Sequence, residues 1–246
     1  MTMSEPKLII SIDQSILSQA SGDCLVLLRE VNKTFTTAFA VAQLTATQSG
    51  DRQLLSRNVF TWVDEFQIVA WKPYDEGLLA STVCNPVEIT YRQTTQFLNS
   101  VLQPAKSLGT QEWSNPPDKT FAIEKLGFRF RFRVSQRARP GGQFLPVFTS
   151  KFTPSLQGRT EIYVEDKFAL FWSNVRVSSG DTISLPEDKT QLQIVTLTDG
   201  LPKHIRYGYL SPDKPGVDEN PSWYPEPLPT TFLPIKTAAN GIGAKL

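Results

Sequence analysis

Histidine is nearly absent from this chain, with His204 the single one in 246 residues. That excludes zinc sites built on several imidazoles, and it leaves a Ser–His or Cys–His pair only one base to use. Cysteine is almost as scarce: Cys24 and Cys84 form no disulfide framework and suit a reducing compartment. The chain also lacks a Gly-x-Ser-x-Gly elbow, a His-Glu-x-x-His helix, a phosphate loop, a Rossmann glycine fingerprint and an Asp-x-Asp-x-Asp-Gly calcium run. No catalytic residue, metal ligand or cofactor is assigned on this basis. A two-carboxylate glycosidase stays open, because such acids meet in space rather than in sequence.

Long apolar runs are missing too. Nothing approaches the ~20 apolar residues of a membrane-spanning helix. Met1-Thr-Met-Ser-Glu-Pro-Lys7 has neither the basic nor the apolar region of a secretory signal. The expectation is a cytoplasmic protein with no membrane span. An excess of one charge is absent as well: 25 basic residues stand against 24 acidic ones, which argues against nucleic acid as a partner. Helical periodicity is confined to Asp13–Ala20, where Ser11-x-x-Gln14 has the spacing of a capping box.

What remains is a β-rich composition, 40% apolar and 11% aromatic with 15 Phe. Short apolar runs separated by Gly, Pro, Asn and Asp predict strands at 7–12, 24–29, 35–45, 58–63, 66–71, 78–83 and 87–93, and again at 128–134, 144–152, 160–164, 168–172, 175–177, 182–185 and 192–197. The second series echoes the first. Phe60-Thr-Trp-Val-Asp-Glu-Phe66, running on to Trp71, resembles Ile162-Tyr-Val-Glu-Asp-Lys-Phe168, running on to Trp172. Phe35 and Phe39 match Phe144 and Phe148 in the same way, and Ile89 matches Ile194.

An all-β fold of two tandem, internally duplicated antiparallel sandwiches follows as the expectation, Ig-like or jelly-roll-like. Residues 1–103 would be copy one, 104–120 a linker, 121–209 copy two and 210–246 a Pro-rich strap. Asp64-Glu65 and Glu165-Asp166-Lys167 read as equivalent hairpin tips. The antibody-type tryptophan and tyrosine-corner spacings are not present around Cys24 and Cys84.

The sharpest local pattern is Phe128-Arg-Phe-Arg-Phe-Arg-Val134, with Arg137 and Arg139 close behind. Strand geometry puts the Phe set on one face and Arg129, Arg131 and Arg133 on the other. Such a row of guanidinium groups is either a solvated face opposed by neighbouring acids or an anion site for phosphate, sulfate or carboxylate. Trp113, Trp223 and Tyr224 lie in irregular, Pro-rich sequence. They either pack back on the fold or offer a platform for sugar rings.

Together these residues make a non-enzymatic, lectin-like binding or assembly protein for a carbohydrate or protein partner the leading reading. An enzyme with Arg, Tyr and carboxylate groups near Arg129–Arg139 and His204 is the first alternative. A homo-oligomer associating through sheet edges or the Pro-rich tail is the second.

Overall fold

The computed structural model describes residues 7–20, 22–44, 51–71, 85–98, 101–107, 117–126, 131–150, 157–188, 191–198, 202–210 and 220–225. Among these the fold is all-β, with seventeen strands and one six-residue helix. The expected strand at 78–83 lies outside the described residues. No described helix is long and apolar enough to cross a membrane, which says nothing of strands.

Three sheets share one core. The first contains β1 (Lys7–Ile12), β5 (Arg57–Thr61), β16 (Lys203–Gly208) and β17 (Ser222–Pro225), in the order β17-β16-β1-β5. The second is built on β2 (Cys24–Val31), β3 (Ala38–Gln43), β4 (Asp51–Gln53), β8 (Gln93–Leu98), β10 (Lys106–Ser107), β11 (Thr120–Leu126) and β14 (Gln157–Ser173). Its order is β10-β8-β11-β14-β2-β3-β4, with β9 (Val101–Leu102) beside β8 and β15 (Leu192–Thr196) beside β14. The third runs β13-β12-β6-β7, from β6 (Phe66–Trp71), β7 (Val87–Ile89), β12 (Arg131–Arg137) and β13 (Phe144–Thr149). Leu8, Ile10 and Phe60 of the first sheet, Leu25, Leu27 and Phe168 of the second, and Ile68, Phe132 and Val134 of the third meet in a single cluster.

β2 is buried along all of its length, because both its faces are covered. Leu25, Leu27 and Val31 face the common core, while Cys24, Val26 and Leu28 lie under Val177, Ile183 and Leu185. The segment after β14 forms that lid without becoming the two expected strands at 175–177 and 182–185. It is tied down by Gly180 N to Ala38 O (2.8 Å), Ile183 N to Thr36 O (2.9 Å) and Ser179 Oγ to Phe39 O (3.1 Å).

The expected short helix forms as α1 (Gln14–Gln19), with Asp13 rather than Ser11 at its N-cap. The Asp13 carboxylate makes no capping bond. It accepts instead from Tyr209 N (2.9 Å) and Arg206 Nη1 (3.3 Å). A Cβ at position 208 would collide with that carboxylate, which is why glycine stands there.

The division into tandem copies is not how the strands pair. Each sheet joins strands from before residue 103 to strands from after residue 120: β1 with β16, β2 with β14, and β6 with β12. The expected linker contributes β10 and the first residue of β11. Neither acidic pair is a hairpin tip. Asp64-Glu65 is a corner at which the chain leaves the first sheet for the third, since β5 pairs with β1 and β6 with β12 and β7.

Glu165-Asp166-Lys167 lies inside β14, a continuous strand of 17 residues. Val31 is opposite Val164 and Arg29 opposite Phe168, so the acidic triplet is accommodated as a bulge against β2. The strand continues through the bulge with partners on its edges: β2 along one, β11 and then β15 along the other.

Candidate functional site

The first half of β12 alternates as its sequence predicts. Phe132 and Val134 are buried, Arg131 is half-buried and Arg133 is exposed. Arg129 lies outside the described residues, as does Trp113.

Arg137 is tied to other parts of the fold. Its fork reaches Glu65 Oε2 (2.5 Å), Glu88 Oε1 (3.1 Å) and Gly142 O (3.2 Å), and its Cζ sits 4.2 Å from the Phe144 ring centroid. Two carboxylates, a carbonyl and an aromatic ring from the protein itself thus surround this guanidinium. Arg139 is exposed in the turn after β12, in a separate hollow with Arg52.

Trp223 packs into the core cluster. It is only 9% exposed, it donates Nε1 to Gln191 O (3.0 Å), and its ring centroid lies 4.8 Å from that of Tyr207. Tyr207 in turn stacks on Trp172 at 5.4 Å and 14°. Burial pushes the Tyr207 phenol up to about 12. Tyr224, the next residue, lies beneath Arg206, whose Cζ is 5.0 Å from its ring centroid. These aromatics dock β17 onto β16 and present no open platform at Trp223.

A groove does form at the other end of β12. Arg131 and Phe148 line it from the third sheet, with Thr149 and Ser150 just beyond, and Asn32, Thr34, Thr36 and Thr182 face them from the β2–β3 side. Its volume is about 640 Å³.

Local chemistry fixes the walls. Val31 and Thr34 exchange backbone bonds of 2.9 and 3.0 Å, with Asn32 (φ 51°) and Lys33 (φ 61°) between them. That is the two-residue hairpin geometry in which both central residues adopt positive φ. Asn tolerates this conformation, whereas Lys33 pays about 1–2 kcal/mol for it. The Asn32 carboxamide is held by β14, accepting from Tyr163 N (2.8 Å) and donating to Glu161 O (3.3 Å).

Opposite, Ser150 closes on β12 through Phe132 N to Ser150 Oγ and Ser150 N to Phe132 O, both 2.9 Å. Phe148 is braced by Phe132 at 6.0 Å between centroids. The Thr149 hydroxyl is buried with no hydrogen-bond partner among the described residues. The lining therefore offers an aromatic ring, a guanidinium, a carboxamide and five hydroxyls.

His204, 7% exposed, sits 2.8 Å through Nε2 from Ser11 Oγ, and the pair staples the parallel strands β16 and β1. Among the described residues no group of three or more His, Cys, Asp or Glu is placed to hold a metal ion.

The residue that sequence reasoning missed is Arg29. It is fully buried, and it donates Nε to Glu165 O (2.8 Å) and Nη2 to Asp166 Oδ1 (2.7 Å), with Asp64 Oδ1 at 3.6 Å from Nη1. Its Cζ lies 5.9 Å from the Trp62 ring centroid and 5.5 Å from that of Phe168. Lys119 adds a second cation on Asp166. The neighbouring Tyr91 phenol is held neutral well above its usual range, chiefly by burial.

The parity of β2 carried the signal. Leu25, Leu27, Arg29 and Val31 share one face, so an arginine stands in an otherwise apolar row. The two echoing segments meet at this residue. Aligning Phe66 with Phe168 puts Asp64 over Asp166, and both carboxylates turn to the one guanidinium.

Comparison with protein-family models, with curated proteins and with solved structures finds no match.

Proposed function

We propose that this is a non-enzymatic binding protein whose groove at Arg131 and Phe148 takes a carbohydrate bearing a carboxylate or other negative group. The observation that carries the reading is the composition of one wall-to-wall lining: Arg131, Phe148, Asn32 and the hydroxyls of Thr34, Thr36, Thr149, Ser150 and Thr182. A sugar presents an apolar face and a hydroxylated edge at once. The first suits the Phe148 ring and the second the Thr and Ser hydroxyls. The guanidinium supplies the preference for an acidic sugar, because its fork matches a carboxylate.

The test is a glycan array carrying neutral, uronate and sialylated sugars, probed with the wild-type chain and with Arg131→Gln and Phe148→Ala. Acidic glycans should be retained by the wild type. Losing a charge-assisted bond worth about 1.5–3 kcal/mol should raise the Kd of Arg131→Gln roughly 10- to 100-fold. Retention of no glycan, or equal retention by both variants, would overturn the reading.

A further inference from the structure

A second basic hollow lies at the far end of β12. Arg52, Thr61, Ala138, Arg139, Gly141, Gly142, Gln143 and Leu145 line a space of about 620 Å³, with two guanidinium groups and no carboxylate among the described lining residues. Like charges that share a hollow repel, and the fold holds them there all the same.

Arg52 is fixed from β5. Its Nη1 donates to Val59 O (2.8 Å), and its Cζ lies 5.1 Å from the Phe60 ring centroid. Neither contact neutralises its charge. Among the described residues neither Arg52 nor Arg139 has an acidic partner, in contrast to Arg137 two positions earlier, which has two. Burial, and then the charge of Arg139, make Arg52 a weaker base than an exposed arginine.

Arg139 is positioned by a turn. Gly142 N donates to Arg139 O (2.8 Å) across Pro140 and Gly141, and Gly141 has φ 65°. Proline second and a positive-φ glycine third are the marks of a type II turn. Gly142 is required for a different reason, since a Cβ there would lie 2.6 Å from Arg139 Cγ and 3.0 Å from Arg139 O. The stem of Arg139 folds over the turn only because that position has no side chain. Thr61 Oγ1, 3.5 Å from Ala138 O, ties the turn to β5, and both arginines line the same hollow.

The geometry points to a binding site for a tetrahedral oxyanion, a phosphate or sulfate group, held between the Arg52 and Arg139 guanidinium forks. Such a group brings the negative charge that the hollow lacks, with enough oxygens for both forks. The site is separate from the groove, because ~20 Å of strand lies between Arg131 and Arg137 at 3.3 Å per residue.

The experiment is calorimetric titration of the full chain with inorganic phosphate and with inorganic sulfate, against chloride at matched ionic strength, followed by a sulfated disaccharide. The wild type should bind both tetrahedral anions in preference to chloride. Arg52→Gln and Arg139→Gln should each weaken binding at least about tenfold. Gly142→Ala, which keeps every charge and crowds Arg139, should weaken it as well. A disaccharide that binds more tightly than sulfate assigns the anion to a sugar, and equal binding assigns it to the free ion.

Arg131→Gln and Phe148→Ala should leave anion binding unchanged, so this site can fail while the groove survives, and the reverse. Circular dichroism on every variant establishes folding. No preference over chloride, or unchanged binding in folded Arg52→Gln and Arg139→Gln, overturns the proposal.

Discussion

At the scale of the residue, the protein is most exposed to change at Arg29. An arginine with no solvent access survives only if its charge is matched and its donors are used. Here Asp166 and Asp64 match the charge, Glu165 O and Asp166 take Nε and Nη2 while Nη1 has no hydrogen bond among the described residues, and Trp62 and Phe168 close over the guanidinium. Removing one partner of a buried pair costs about 3–5 kcal/mol, more than the pair itself contributes, because the other charges are left behind. Arg29→Ala is therefore expected to lower the unfolding free energy by that amount in urea titrations. Arg29→Met, which keeps the volume between the rings, should lose less. A loss below about 1 kcal/mol in Arg29→Ala would show that the carboxylates find water instead.

Parity on β2 made this residue legible in principle, yet its partners were not. Nothing in the spacing of Asp64 and Asp166 says that one sits at a corner and the other in a bulge. For the arginines of β12, the alternation was readable and the pairing was not. Arg137 and Arg139 look alike in sequence, but the acids that distinguish them, Glu65 and Glu88, come from two other segments.

At the scale of the element, strands could be read because a half-buried pleat leaves a period of two, and a doubly buried one leaves an unbroken apolar run such as Cys24–Leu28. Partners leave no such trace. Phe60–Trp71 and Ile162–Trp172 carry the same pattern, but the first breaks at Asp64-Glu65 to change sheets and the second passes through its acids as one strand. The difference lies in what flanks each segment, and flanks are set by the whole fold.

β17 teaches the same lesson. Trp223 stands in a Pro-rich stretch and belongs to the core, through Tyr207 and the Gln191 carbonyl. Trp223→Ala should cost about 3 kcal/mol, in the range for large aromatic truncations. It should also abolish slow amide exchange along β16, which β17 covers. Unchanged protection of Ile205–Gly208 would mean that β17 docks through its backbone alone.

At the scale of the whole molecule, the three sheets are stitched across the middle of the chain. The all-β class was legible because composition and period both pointed to it. The arrangement was not, since a faint repeat is equally compatible with two modules and with one interleaved body. Interleaving has a measurable consequence: because β1–β16, β2–β14 and β6–β12 each bridge the two halves, neither half has a sheet of its own to melt. Urea unfolding followed by tryptophan fluorescence and by far-UV circular dichroism should give coincident single transitions. Two separated steps would mean that one half holds together alone.

The parallel pairing of β1 with β16 also sets a clock. Ile12 and its neighbour Tyr207 are 195 positions apart. A ribosome adding roughly 5–20 residues per second needs about 10–40 s between them. During that interval one edge of β1 lacks its β16 partner and has to be shielded, whether by collapsed chain or by a chaperone.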